Sequence, residues 1–147
     1  MRKTAFFISS IMGLALCLPA AAQQVAADFE EVLAKVASYE IGHSEQPLAE
    51  MDRMVAAGSL SPERVKQMEQ AFLKALEATT SLAGKDQLCR RLMLVGSAAA
   101  VPTLAKMLSS AETADMARYA LERIPGAAVN QALREMLAKT SGTVKAV

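Results

Sequence analysis

An all-α chain of stacked antiparallel helix pairs, an α-solenoid, is predicted from three observations. From Asp28 onward the apolar residues recur at helical spacing, and no stretch alternates with the period that a half-buried strand needs. The breaks between helical stretches are short and carry Gly, Pro, Ser or Thr, so consecutive helices fold back on one another. A pattern in the second half of the chain also returns after one helix pair's length, which is how a stack of equivalent units shows itself in sequence. The 147 residues suit one domain. At 52% hydrophobic the chain is too apolar for a solvated tail, and 7 Gly and 5 Pro are too few for a disordered or collagen-like one.

Residues 1–22 read as a secretion leader to be set aside before the fold is considered. Arg2 and Lys3 form a positive start, and Ala5 to Leu18 an apolar run broken only by Ser9, Ser10 and Gly13. Pro19 then precedes Ala20, Ala21 and Ala22, the small-residue pattern that a signal peptidase reads, with cleavage expected after Ala22. The apolar run is short for an uncleaved membrane anchor. Acylation at Cys17 is disfavoured because, in the preceding Leu14-Ala15-Leu16, the bulky Leu16 stands where a small residue is needed. Export to the periplasm or the cell exterior follows, with no membrane association after cleavage.

Losing Arg2 and Lys3 takes the 16 basic residues to 14 against 15 acidic, a net charge of −1. No charge field therefore argues for nucleic acid or an anionic membrane. Cys89 is left as the single cysteine, so no internal disulfide staples the fold.

The region 23–82 is expected to hold about three helices, and about seven follow the leader in all. Asp28 caps the first, with Glu31 completing a capping box and Phe29, Val32, Leu33 and Val36 forming its apolar stripe up to a stop at Gly42. The second opens over Ser44 to Pro47 and runs through Leu48, Met51, Met54 and Val55 to Gly58. Ser61 and Pro62 are a hydroxyl cap followed by Pro at the first helical position, starting a third helix that ends near Thr79. Region 83–139 holds two helix pairs. The fourth helix spans about Ala83 to Val95 with a stop at Gly96, and the fifth about Ala98 to Leu108 with Pro102 in its first turn. The sixth runs from Ala111 or Glu112 to Ile124, stopped by Pro125 and Gly126, and the seventh from about Ala127 to Lys139.

These two pairs carry the repeat. The segment from Gly96 to Leu108 aligns without gaps on Pro125 to Leu137, an offset of 125 − 96 = 29 residues. Ala98, Ala99, Leu104, Met107 and Leu108 meet Ala127, Ala128, Leu133, Met136 and Leu137, and upstream Leu92 meets Leu121 and Val95 meets Ile124.

At these residues the chain resembles the HEAT-repeat family, and more closely its short bacterial branch related to the repeats of phycobilisome lyases. The segments Val101 to Leu108 and Ala117 to Pro125 look most like that branch, and residues 83–139 carry most of the likeness. With its leader and the Tyr39 to Ser44 stretch, the whole resembles the N-terminal part of larger secreted bacterial HEAT proteins. The resemblance implies a right-handed solenoid and, since most members are scaffolds, a non-catalytic role; a shared fold does not carry an activity across. The lyase relation keeps an enzyme-associated alternative open.

After Lys139, Thr140 or Ser141 opens what looks like a further repeat over 140–147, ending on Val144 to Val147. A solenoid needs a polar terminal unit, and each uncovered Leu or Met forgoes roughly 1.5–3 kcal/mol. A truncated product or gene fragment is expected here, with self-association through the uncapped C-terminal end.

Side chains with chemical potential are few. His43 lies in the first inter-helix turn with no second histidine or nearby cysteine, and reads as an exposed loop residue rather than a base or ligand. Cys89 beside Arg90 and Arg91 reads as a small buried hydrophobe rather than a reactive thiol. The seven methionines after the leader (51, 54, 68, 93, 107, 116, 136) suit core filling, or else an adaptable groove. Glu30, Glu31, Glu50 and Asp52 read as solvated faces, with Glu31 and Lys35 an i,i+4 pair.

No catalytic, cofactor-binding or metal-binding residue is assigned. Arg90, Arg91, Arg118, Arg123 and Arg134, with Tyr119, are the candidate partner-binding set. The 29-residue offset places Arg90 opposite Tyr119 and Cys89 opposite Arg118, so the set can form a ridge for acidic segments of a protein partner. The competing reading makes them ordinary surface arginines paired with Glu112, Asp115 and Glu122. The function expected is an exported, non-catalytic protein-binding module or scaffold, or a dependent piece of a larger protein.

Overall fold

The computed structural model describes residues 20–139, all of whose regular structure is helical. Seven helices follow in order: α1 (Ala20–Ala37), α2 (Gln46–Gly58), α3 (Pro62–Ala78), α4 (Leu82–Val95), α5 (Val101–Met107), α6 (Ala114–Arg123) and α7 (Ala127–Lys139). A 3-10 turn (Ala98–Ala100) leads into α5. Apart from residues 20–22, the expected leader lies outside the described residues, as does the further repeat expected over 140–147. No helix among the described residues is long and apolar enough to cross a membrane.

Capping chemistry sets most boundaries where the sequence places them. Ser61 Oγ accepts from the Arg64 amide and Pro62 opens α3, while Ser81 Oγ accepts from the Gly84 amide to open α4. Ser97 Oγ accepts from the Ala99 amide at the start of the 3-10 turn, and Pro102 falls in the first turn of α5, where its missing N–H costs little. The sixth helix begins later than expected, at Ala114, because Ser109 to Thr113 forms turns in which Thr113 Oγ1 donates to the Met107 carbonyl at 2.7 Å.

The first helix departs further from expectation. It already runs from Ala20, through the expected cleavage position, so Asp28 is an interior residue and not a cap; its carboxylate accepts from Gln24 Nε2 one turn back. The helix also stops at Ala37, before Gly42. Gly42 serves instead in the loop, at φ +93°, in a turn closed by the His43 amide donating to the Glu40 carbonyl at 3.1 Å. The Glu31–Lys35 pair forms as expected, at 2.6 Å.

One core runs the length of the described chain. Val32, Leu33 and Val36 of α1 meet Met51 and Val55 of α2, Phe72 and Leu76 of α3 and Leu88 and Leu92 of α4; Leu104 and Leu121 continue it into the later helices. Phe29 and Phe72 pack as a tilted pair, ring centroids 5.9 Å apart. α4 is the hub, packing on α1, α2, α3 and α6, while α5 packs on both α6 and α7. The helices related by the 29-residue offset are thus neighbours in space: α4 lies against α6 and α5 against α7.

Polar contacts fix how the N-terminal helices meet α4. Thr79 Oγ1 donates to the Ala37 carbonyl and Ser81 Oγ to the Tyr39 carbonyl, both at 2.5 Å, tying the end of α1 to the start of α4. Gly84 is required by this approach, since a Cβ there would lie 2.1 Å from the Ala37 carbonyl oxygen. At the other end of α4 the buried Glu69 carboxylate of α3 accepts from the Ser97 amide at 2.6 Å and from Ser97 Oγ at 2.9 Å.

Candidate functional site

The six residues of the candidate set separate into three groups. Arg91 is not a surface residue: it is 3% exposed and forms a clamp between α4 and α2. Its guanidinium donates to the Leu48 carbonyl at 3.1 Å, pairs with Asp52 at 2.9 Å, and reaches back to the Gln87 carbonyl and side-chain oxygen at 2.9 and 2.7 Å. Burial lowers its affinity for the proton and Asp52 partly restores it. Arg91 therefore leaves the partner-binding set. The helical period explains the correction, because Arg90 and Arg91 differ by about 100° around α4 and only one of the two can face outward.

Arg90 and Tyr119, aligned by the repeat, touch. The Arg90 guanidinium stands over the Tyr119 ring, 5.5 Å from its centroid, and also pairs with Asp86 at 2.8 Å. The Tyr119 hydroxyl donates to the other oxygen of the same Asp86 carboxylate. Asp86 is thus shared, holding the two helices in register along one edge of the α4–α6 contact. Partial burial, and then the bond to Asp86, push the Tyr119 phenol pKa up, while Asp86 holds the Arg90 guanidinium more firmly protonated. Asp86 was missed in the sequence reading, although its place four residues before Arg90 is a recognisable i,i+4 signal.

Arg118 bridges Asp115 at 2.7 Å and Glu122 at 2.6 Å, both on its own helix, and these two carboxylates raise its pKa. This matches the competing reading of local pairing for Arg118. Arg123 and Arg134 are exposed, on α6 and α7. Leu94 of α4, 66% exposed, occupies the position one repeat before Arg123. Of the set, Arg90 and Tyr119 are brought together, Arg118 pairs within its own helix, and Arg123 and Arg134 are exposed on separate helices.

Cys89 is completely buried, among Leu88, Leu92 and the small residues Ala117 and Ala120 of the same core. Burial, helped by Asp86, pushes its thiol up to about 12, so at neutral pH it is a protonated, unreactive hydrophobe. His43 is exposed in the α1–α2 loop. Of the methionines, Met51 and Met68 are buried in the core, and Met54 and Met68 also line an open apolar groove of about 650 Å³ between α1, the end of α2 and α3. Core filling thus holds for Met51 and Met68, while Met54 and Met68 stand at the groove. Phe29 shares the groove floor, with Glu30, Glu63 and Arg64 among its lining residues.

No protein-family model, no curated protein and no solved structure matches the chain.

Proposed function

We infer that the chain is an exported, non-catalytic HEAT-like scaffold whose helix pairs form a short right-handed stack and whose outer surface holds a protein partner. The observation that carries this reading is the coincidence of sequence period and contact. α4 lies against α6, α5 lies against α7, and Arg90 meets Tyr119, its own equivalent one repeat later. Stacked equivalent units bury one continuous core and leave broad side faces, which is the form in which solenoids bind. Export is supported by the leader pattern of residues 1–22. A nucleophilic role is disfavoured by the burial of Cys89, and the exposed Arg123 and Arg134 make acidic protein segments the partner chemistry that fits.

The test is capture from a periplasmic extract by the immobilised chain, compared with an Arg123→Glu/Arg134→Glu variant. A saturable partner retained by the parent and lost by the variant, with unchanged thermal unfolding, is the expected result. Equal capture by both, or no saturable partner, would refute the proposal.

A further inference from the structure

The open apolar groove of about 650 Å³ lies on α1, α2 and α3, outside the two repeated helix pairs. α1 and α3 run side by side in the same direction. Phe29 packs on Phe72 and the Ala37 carbonyl accepts from Thr79, offsets of 72 − 29 = 43 and 79 − 37 = 42 residues. On that register Arg64 stands level with position 64 − 43 = 21, which is 30 − 21 = 9 residues before Glu30. At a rise of 1.5 Å per residue the two charges are about 13 Å apart along the groove. Glu30 on the α1 wall and Arg64 on the α3 wall therefore occupy diagonally opposite corners. Neither has an ion-pair partner among the described residues. The third rim charge, Glu63, accepts from Ser61 Oγ at 3.2 Å at the amino end of α3, where the helix dipole favours a carboxylate. Between the corners the lining is apolar, with Phe29 and Met54 half-buried and Val25 52% exposed. Leu60, 90% exposed, sits in the loop between the lining residues Gly58 and Glu63.

We propose that this groove is a self-association surface, covered by the same groove of a second copy about a two-fold axis through its centre. Such an axis exchanges both the walls and the ends of the groove, so it sets Glu30 of each copy against Arg64 of the other. Within one chain the two charges stand too far apart to pair. The surface that satisfies both carries an acid and a base at the same spacing in reversed order, and the groove itself, rotated, is such a surface. Its methionines repack readily against an apolar face of their own kind, and the exposed Val25 and Leu60 give the margin apolar area to withdraw from water. With one groove and two exposed ion pairs the interface belongs to the small, transient class and weakens with salt. This goes beyond the scaffold reading and does not rest on the helix-pair stack, because every residue it uses lies on α1 to α3.

The experiment reads mass by sedimentation equilibrium over a wide concentration series at low salt. It compares the parent chain, Glu30→Arg, Arg64→Glu, the double variant carrying both changes, and an equimolar mixture of the two single variants. Both positions are exposed, and circular dichroism checks that every chain is folded. The parent should approach twice the mass of one chain. Each single variant alone opposes like charges at both corners and should dimerise at least about tenfold more weakly. The double variant, and the mixture, in which every corner again meets an opposite charge, should recover the parent's association. A parent that keeps the mass of one chain throughout overturns the proposal and leaves the groove to a segment of another protein. Equal association by all the chains overturns it in favour of another surface, such as the C-terminal end. Loss in the single variants without recovery in the mixture overturns the two-fold pairing. None of these failures touches the helix-pair stack, whose residues are unchanged in every variant.

Discussion

Replacing Glu69 by Ala tests the contact that fixes where the repeated region begins. The Glu69 carboxylate is 4% exposed and its bonds among the described residues all come from Ser97: the backbone amide at 2.6 Å, and the hydroxyl, whose single proton is shared between two oxygens each 2.9 Å away. Two charge-assisted hydrogen bonds are therefore at stake, each worth about 1.5–3 kcal/mol. Ser97 itself is exposed, so water takes up part of what Glu69 leaves, and the net loss expected is about 2–3 kcal/mol. Glu69→Gln keeps one acceptor and should lose about 1 kcal/mol. Ser97→Ala loses the hydroxyl bond and the cap on Ala99, again about 1–1.5 kcal/mol. Urea unfolding of the two single variants and the double variant closes the cycle, with a coupling of at least about 1 kcal/mol expected. If Glu69→Ala cost less than about 0.5 kcal/mol, or the cycle showed no coupling, the link would carry no stability and the junction between α3 and the α4–α5 turn would be set by packing alone.

Three further predictions follow from the same geometry. Gly84→Ala should destabilise by about 2 kcal/mol in urea, because overpacking against the Ala37 carbonyl outweighs the roughly 1 kcal/mol that Ala offers a helix; a variant more stable than the parent would contradict the close approach. Arg91→Ala should cost about 3 kcal/mol, and Arg91→Met, which keeps the apolar stem, about 1 kcal/mol with partner capture unchanged. Loss of capture by Arg91→Met with unaltered melting would return Arg91 to the binding surface. The folded-state pKa of Cys89 is raised from 9.0 to about 12, so its contribution is complete below pH 9 and is lost as pH rises toward 12. The slope should approach 1.4 kcal/mol per pH unit, about 4 kcal/mol in all, with the raised Tyr119 phenol adding in the same direction above pH 10. Unfolding free energies across that range should show the fall in the parent, and a shallower one in Cys89→Ala.

The helices were legible in the sequence because their signals are local. Ser61 with Pro62 marks α3, and the apolar stripes name the buried faces of α1 to α4 almost residue by residue. The ends of α1 were not legible. Asp28 with Glu31 satisfies a capping pattern, yet the alanine-rich residues before it are good helix formers and carry the helix through. The candidate surface was legible where the repeat spoke: Arg90 and Tyr119 meet as the alignment implies. The inward role of Arg91 depends on Leu48 and Asp52, more than three dozen residues away, and the bond from Ser97 to Glu69 spans 28 residues; no local pattern encodes either.

The translational relation between the two helix pairs is tested most directly by spin labels at two pairs of exposed, repeat-equivalent positions, 94 with 123 and 106 with 135. If α6 and α7 are α4 and α5 displaced by one unit, the axes in both pairs stand about 8–10 Å apart, and both doubly labelled chains show strong dipolar broadening of similar degree. Strong broadening in one pair with none in the other would mean that the two hairpins are not related by a single shift, and the stack would have to be abandoned.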